Sequence, residues 1–335
     1  MNDPLRVIWG ALVGDACGAP LEFYHGTITE MVARHAMTMK GGGKLRIGPG
    51  QITDDGELTL ALWGVLQGRD PMHGFPLELV AKAYGAWYES FPFDIGRTCS
   101  LAFEVLSEWM EDSDTCRAIE NVLEQIKDLS HSSEANGAIM RVTPVAAWWA
   151  SHPFMTGRAM DVVDVEKTAH AAAYAAAMDA CLSHPGRVAQ EANAIYVYAL
   201  VSLLLGSSPA ETIARVESMV CDRCETLQHW MEESKSEWEC LSDAQVLIGH
   251  LRHAFVAAFW FLRRPEIGYA EAICRMLQRG GDTDTNAAIV GGMVSCYQPI
   301  PEEMRGAVAD FDCVVEGRQR PPEYGVKYGM SGAAL

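Results

Sequence analysis

Two short clusters of oxygen-bearing side chains stand out in the sequence as groups that could bind metal ions. The first is Thr53-Asp54-Asp55, and the second is Asp282-Thr283-Asp284-Thr285, directly after the glycine pair Gly280-Gly281. Carboxylate and hydroxyl oxygens are ligands for Mg²⁺, Mn²⁺ or Ca²⁺ rather than for zinc. If the fold brings the two clusters together, they could hold two cations that position and activate one water.

Helix capping is the alternative explanation of each cluster. Thr and Asp are favoured at helix starts, and a carboxylate there stabilises the helix dipole without a metal. For either cluster alone, capping is a sufficient explanation. However, a cap needs one side chain, whereas each cluster offers at least three oxygen-bearing groups. Each is also followed by apolar residues that direct the carboxylates toward the interior, where unpaired charge is costly.

Composition and charge restrict the class of protein. The chain has 335 residues, of which 49% are hydrophobic and 21% charged, so it can bury a sizeable core. Its net charge of −18 disfavours binding to a nucleic-acid backbone. The amino terminus lacks the pattern of a signal peptide, and no apolar run has the length of a membrane span. We therefore expect a cytoplasmic protein, with no membrane partner, whose ten cysteines are reduced.

The segments that must position the two clusters are predicted to be almost entirely helical. Apolar residues recur at three- and four-residue spacing between joins rich in Gly, Pro and Ser. We predict an all-α fold, a compact single-domain orthogonal multi-helix bundle over residues 1–335, with a central dinuclear metal cleft and an extended tail from about 318 to 335. The predicted helices cover residues 5–18, 57–67, 77–90, 98–111, 115–129, 157–181, 187–205, 209–232, 243–262, 269–278 and 284–297.

The stretch Lys40–Gln51 is too rich in glycine and proline to form a helix. It also lacks the Gly-x-x-x-x-Gly-Lys-Ser/Thr pattern of a phosphate-binding P-loop. Two interpretations stay open, a mobile surface loop and a lid over the neighbouring acidic cluster.

Six segments, in this order, resemble motifs of the ADP-ribosylglycohydrolase family, and together they cover nearly the whole chain. Any one of them alone would be a weak signal, but six in order are specific. The segments are Gly10–Glu22, Pro49–Asp55, Phe93–Thr98, Ala135–Pro144, Leu182–Pro185 and Gly280–Asn286.

This resemblance implies a metal site at the bottom of a cleft in an all-α fold. The expected cofactors are two Mg²⁺ ions, with Mn²⁺ as the alternative. The residues that match the family's metal ligands are Thr53, Asp54 and Asp55 on one side and Asp282, Asp284 and Thr285 on the other. Glu22 matches a glutamate that lies close to the metals and can bind them or move aside.

The resemblance also implies how the substrate is held. Asp94 matches a position that handles the ribose ring or the leaving group, and His184 is expected beside the ribose or the adenine. The remaining substrate-binding matches are Gly96, Arg97 and Thr98 in one loop, and Asn136, Gly137 and Ala138, whose backbone N–H groups are expected to face the diphosphate. The catalytic carboxylates are expected among Glu22, Asp55, Asp94 and Asp284. Which of them moves the proton stays open.

The chain departs from the family pattern at two positions. Gly56 stands where the first metal motif normally has a threonine, and Ser183 stands in place of the usual threonine before His184. Neither is among the expected metal ligands. The glycine nevertheless leaves the local helix geometry in question.

The function that follows is a metal-dependent hydrolase that removes ADP-ribose from a modified protein. The expected linkage is ADP-ribosyl-arginine. Alternative linkages are serine-linked ADP-ribose, O-acetyl-ADP-ribose and ADP-ribosylated nucleic acid. A different class also stays open, in which an immunity or regulatory protein binds a cognate ADP-ribosyltransferase or its modified target without turnover. In that case the acidic surface would dock a basic partner.

Overall fold

The fold is built from α-helices, as the sequence predicts. The computed structural model describes residues 3–111, 118–155, 164–315 and 317–330. Within those ranges the sheet content is one antiparallel hairpin, β1 (Val314–Val315) with β2 (Arg318–Gln319). The helices are α1 Arg6–Gly18, α2 Glu30–Ala36, α3 Asp54–Leu66, α4 Leu77–Glu89, α5 Arg97–Glu111, α6 Ile119–Ser130, α7 Thr143–Met155, α8 Val165–Ala180, α9 Arg187–Leu204, α10 Pro209–Val220, α11 Glu225–Glu233, α12 Leu251–Leu262, α13 Tyr269–Gln278, α14 Thr283–Ser295, α15 Glu302–Ala309 and α16 Val326–Gly329.

Helix α14 lies at the centre of this arrangement. It is buried along its whole length and packs against α1, α12 and α13. A helix that is apolar on every side belongs in a core, and here its first turn carries Asp284 into that core. Every helix in the described ranges is too short or too polar to cross a bilayer.

Glycines on α1 allow it to approach α14 at backbone distance. A Cβ atom at Gly14 would overlap the carbonyl group of Ala287, and one at Gly18 would overlap the backbone of Thr283 and Asp284. The two helices therefore run antiparallel in direct backbone contact. This contact sets the position of the first turn of α14, which holds the second acidic cluster.

We expect Gly14→Ala to lower the free energy of unfolding by about 1–3 kcal/mol, because the added methyl group must push α1 away from α14. Gly64→Ala is the matched control, since Gly64 lies on the exposed face of α3 with open space around its Cα. That substitution should raise stability by about 0.5–1 kcal/mol through helix propensity. Urea unfolding measures both values. Equal effects of the two substitutions would contradict the close packing of α1 on α14.

Several predicted helix boundaries were wrong. The helix predicted over 209–232 is two helices, α10 and α11, separated by a turn at 221–224. The helix predicted over 243–262 begins only at Leu251, because Leu247 and Gly249 adopt positive φ angles that a helix cannot contain. Four helices were not predicted, α2, α7, α15 and the four-residue α16. Three of these are short, and α7 is apolar on every side and so lacks a helical period. Residues 115–117 and 157–163 of two predicted helices lie outside the described residues.

The carboxyl-terminal segment was also predicted incorrectly as an extended tail. Residues 318–330 form β2, a 3₁₀ turn and α16, while 331–335 lie outside the described residues. Arg320 is buried and donates to Glu57 in the first turn of α3, with its Nε atom 3.0 Å from Oε1. The Trp87 indole N–H donates to the same carboxylate at 2.7 Å. The segment thus fixes the start of the helix that carries the first acidic cluster.

The glycine-rich stretch 40–51 is folded against this hairpin. Arg318 donates to the carbonyl of Leu45 at 3.2 Å and to the side chain of Gln51 at 3.1 Å, and its guanidinium lies over the ring of Phe93. A bridge between Gly42 and Ile47 closes the loop internally. Residues 40–51 do not line the cavity described below, so the structure favours an ordered surface loop over a lid.

Candidate active site

A cavity of about 300 Å³ opens where the amino-terminal ends of α3 and α14 meet. Most of the residues predicted from sequence line this cavity, but Thr53, Asp55 and Ala138 do not. The predicted residues in its wall are Glu22, Asp54, Asp94, Gly96, Arg97, Thr98, Asn136, Gly137, His184, Asp282, Asp284 and Thr285.

The second acidic cluster is placed by the glycine pair before it. Gly280 and Gly281 have φ angles of +67° and +74°, a conformation that side chains disfavour, and the backbone at Gly281 lies against the carbonyl of Ala244. This sharp turn brings Asp282 to the cavity. There its Oδ2 atom accepts a hydrogen bond from the side-chain amide of Asn136 at 2.7 Å.

The structure corrects the role expected of the Asn136 backbone. Its N–H group donates to the carbonyl of Gly249 at 2.9 Å, so it does not face the diphosphate position. Asn136 instead orients Asp282 through its side chain. Of the three residues whose N–H groups were expected to bind the diphosphate, Gly137 lines the cavity and Ala138 does not.

Three carboxylates converge in the cavity. Oxygen atoms of Glu22, Asp282 and Asp284 lie within 4.8 Å of one another. This is close to the span of about 4 Å across the coordination sphere of Mg²⁺, whose oxygen ligands lie about 2.0–2.1 Å from the ion. Glu22 is held there by the backbone N–H of Thr283, which donates to Oε2 at 3.2 Å. The group is a buried acidic cluster that could bind a metal ion.

The first acidic cluster is organised by Asp15, which the sequence did not single out as a site residue. The Asp15 carboxylate accepts hydrogen bonds from the Thr53 N–H at 3.0 Å, the Thr53 hydroxyl at 2.9 Å and the Gly56 N–H at 2.9 Å. It therefore caps α3 from α1. A Cβ atom at Gly56 would lie 2.7 Å from Oδ2 of Asp15, so the glycine makes room for this carboxylate and α3 forms normally.

The two clusters are joined through Asp55 and Thr285. The Thr285 hydroxyl donates to Oδ2 of Asp55 at 3.2 Å across two helices. The other oxygen, Oδ1, is buried without a hydrogen-bond partner in the described structure. A buried carboxylate oxygen without a donor is costly, and a cation is one group that satisfies it. The donor set of carboxylates and hydroxyls therefore fits a hard divalent cation.

Burial dominates the electrostatics of these acids. It raises the pKa of Glu22 to about 8, with a further contribution from the charge of Asp282. It also raises the pKa of Asp15 to about 7 and that of Asp94 to about 6, and in Asp94 the charge of Asp282 again adds to the effect. The pKa of Asp284 is raised well above its usual value by burial and by Glu22. The metal-free cavity thus holds protons that a cation would displace.

The loop at Gly137 and the side chain of His184 form another part of the cavity wall. Burial lowers the pKa of His184 to about 3, so its imidazole is neutral, and Ser183 lies 2.9 Å from Nδ1. A side chain at Gly137 would overlap Cys99 and His184. The loop is held from behind by Arg141, which donates to the carbonyl of Gly137 at 2.8 Å and pairs with Asp179, both side chains being fully buried.

Some cavity residues were not predicted from sequence. Ile95, Ala135 and Met140 lie inside the motif segments, and Phe23 and Cys99 directly follow motif residues, so the positions of all five carried a signal. Ile248 and Gly249 carried none, because they come from the segment that was predicted to be helical.

The fold and the site define an all-α protein with an acidic, cation-suited cavity at the ends of two buried helices. Comparison with known proteins gives the family. The family model described as ADP-ribosylglycohydrolase matches residues 5–322, and the chain belongs to this family, whose members are hydrolases of ADP-ribosyl bonds. The resemblance deduced from the six motifs is thereby confirmed.

Individual relatives agree with this assignment. The chain is similar to the ADP-ribosyl-[dinitrogen reductase] glycohydrolase of Rhodospirillum rubrum, with 33% identity over 150 residues, which are 44% of this chain and 45% of that enzyme. It is 24% identical over 317 residues to an ADP-ribosyl glycohydrolase of Acanthamoeba polyphaga mimivirus, covering 88% and 87% of the two chains. A solved structure titled ADP-ribosylglycohydrolase-related protein complex has the same fold, with a TM-score of 0.66, 24% identity and 92% coverage of both chains.

Proposed function

We propose that the protein hydrolyses the bond between ADP-ribose and an arginine side chain of a modified protein, with two Mg²⁺ ions, or Mn²⁺, as cofactors. The observation that carries this proposal is the charge of the cavity. Its wall contains five carboxylates, Glu22, Asp54, Asp94, Asp282 and Asp284, and one cationic side chain, Arg97. A diphosphate would be repelled from such a wall unless cations offset its charge.

The proposed ligands are Thr53, Asp54 and Asp55 from the start of α3, and Asp282, Asp284 and Thr285 from the start of α14. Glu22 joins them in the cluster of three carboxylates. When bound, divalent cations supply charge neutralisation and a water of lowered pKa. Thr53 reaches this site through hydrogen bonds to Asp15 and Asp55 rather than from the cavity wall.

The substrate roles follow from where the side chains lie. The neutral His184 offers a ring nitrogen, Nε2, that is buried without a partner in the described structure and lies at the wall, where a ribose hydroxyl or the adenine could bind it. Gly96, Arg97 and Thr98 also line the cavity.

Cleavage of a ribosyl bond passes through an oxocarbenium-like state that needs a nearby base and negative charge. Three of the four candidate carboxylates, Glu22, Asp94 and Asp284, are at the cavity surface, and Asp55 lies behind them.

The test is a linkage panel assayed with and without a chelator. Proteins or small molecules that carry ADP-ribose on arginine, on serine, on acetate and on nucleic acid are incubated with the enzyme, and released ADP-ribose is measured. We expect Mg²⁺-dependent release from the arginine linkage. Release from another linkage alone would overturn the arginine assignment, and full activity after chelation would overturn the metal assignment.

We also expect Mg²⁺ to stabilise the protein more at pH 8 than at pH 5.5. The pKa values of Glu22, Asp15 and Asp94 are raised above their unfolded values, so the folded state binds more protons between about pH 4 and pH 8. The stability of the metal-free protein therefore falls as pH rises through this window. The cation reverses this loss, by about 2.7 kcal/mol when its concentration is a hundred times its Kd. Thermal unfolding with and without Mg²⁺ measures the stabilisation at each pH. A larger shift of the unfolding temperature at pH 5.5 than at pH 8 would contradict the prediction.

A further inference from the structure

Three consecutive apolar side chains project into solvent beside the cavity. Val246, Leu247 and Ile248 are 60%, 70% and 61% exposed. Single exposed apolar residues are common on protein surfaces, but a contiguous apolar patch beside a site marks a contact surface. Ile248 belongs to the cavity wall itself, so the patch is continuous with the proposed active site.

The patch is held in this exposed position by the surrounding backbone. Leu247 has a φ angle of +54°, which costs a residue with a branched side chain strain energy. Hydrogen bonds nevertheless fix the loop on both sides of it, since a ring nitrogen of His253 lies 2.9 Å from the carbonyl of Val246, and the Gly249 carbonyl accepts from Asn136 at 2.9 Å. The loop therefore holds Leu247 in a strained conformation with its side chain in solvent.

A groove lies between Ile248, at the end of this patch, and a second pair of exposed rings, while Val246 and Leu247 stand just outside its lining. Phe23 and Tyr24 are 53% and 46% exposed, and Phe23 also has a positive φ angle, +58°. The groove between them and the patch has a volume of about 270 Å³. It shares Glu22, Phe23 and Ile248 with the cavity, so the two spaces meet at these residues.

We infer that this groove and the exposed patch beside it form the docking surface for the polypeptide segment that carries the ADP-ribosyl group, and that Leu247 and Val246, which directly precede the groove-lining Ile248, contact an apolar side chain next to the modified residue. The inference rests on the proposed function. If the ADP-ribosyl group fills the cavity, the polypeptide attached to it must extend out of the cavity past Glu22, where the groove begins. An apolar neighbour would then bury the patch and supply binding energy away from the reacting bond.

The experiment uses two synthetic peptides that carry ADP-ribose through the linkage that the panel shows to be cleaved. One peptide has leucine beside the modified residue, and the other has serine at that position. The third substrate is the ADP-ribosylated amino acid alone. The enzyme is the wild type or the double variant Val246→Ser/Leu247→Ser. The matched control is Leu79→Ser, which removes an exposed leucine of α4, a helix that contributes no residue to the cavity or the groove.

We expect the wild type to favour the leucine peptide over the serine peptide by about tenfold in kcat/KM, the size of one buried leucine contact. The double variant should lose this preference and cleave the amino-acid substrate at the wild-type rate, while Leu79→Ser should retain the preference. Equal peptide preference in wild type and double variant would overturn the inference, as would equal loss on all three substrates.

Two further outcomes are separate from these. A wild-type protein that cleaves no member of the linkage panel would refute the proposed function, and the docking surface with it. A wild-type dimer that the double variant converts to monomer, measured by light scattering, would assign the patch to a second copy of the chain and overturn the inference.

Discussion

Asp284→Ala is expected to lower kcat/KM by about 10³-fold or more. Several kcal/mol of charge stabilisation depend on correctly bound cations, and each 1.4 kcal/mol, roughly, is a tenfold change in rate. Asp284 is buried in the first turn of α14, one of the three converging carboxylates. Removing it should also abolish the stabilisation by Mg²⁺ in thermal unfolding.

The same substitution should leave the metal-free fold intact. The pKa of Asp284 is raised by burial and by Glu22, so its ionised form is unfavourable in the folded protein without metal. Loss of the hydrogen bond from the Thr285 N–H costs about 1 kcal/mol and is offset by relief of this repulsion. We therefore expect the free energy of unfolding without metal to fall by no more than about 1 kcal/mol.

Asp222→Ala is the control, since Asp222 is exposed and lies outside the cavity. It should change neither activity nor the effect of Mg²⁺. If Asp284→Ala retains wild-type hydrolysis, the metal assignment is wrong. If the wild-type protein shows no hydrolysis and Asp284→Ala functions as the wild type does, the alternative of a binding or regulatory protein is supported instead.

Arg320→Met is expected to lower the free energy of unfolding by about 3–5 kcal/mol. The substitution leaves the Glu57 carboxylate, which is almost fully buried, without its cationic partner. Glu57 would keep the hydrogen bond from Trp87, but one neutral donor does not offset a buried charge. Urea unfolding followed by tryptophan fluorescence measures the loss.

A second substitution tests the reason for this loss. The double variant Glu57→Gln/Arg320→Met removes the unpaired charge, so it should recover most of the stability. Arg187→Met breaks the ion pair of an exposed arginine with Glu191 and should leave the free energy of unfolding nearly unchanged. If Arg320→Met alone lowers the free energy of unfolding by less than about 1 kcal/mol, the buried ion pair does not fix the carboxyl-terminal segment to α3.

The local properties of this protein could be predicted from its sequence. Helical spacing identified the all-α class and most helices, because each depends on residues three or four positions apart. The two acidic clusters were located at helix starts for the same reason, since capping is a short-range effect. The six motifs, read in order, gave the family, which the family model confirms over residues 5–322. Their assigned roles stay predictions.

The tertiary structure alone decided which side chains meet. Glu22 joins Asp282 and Asp284, separated from them by more than 250 residues, because glycines let α1 and α14 touch. The family resemblance implied that Glu22 lies near these ligands, but no local pattern of the chain did. Asp15 caps a helix that begins 39 residues later, as its hydrogen bonds to Thr53 and Gly56 show. Arg320 reaches Glu57 across 263 positions. Such contacts depend on how helices pack, and a pattern of neighbouring residues carries no information about that. The sequence could supply the ligands, but only packing at backbone distance brings them to one cavity.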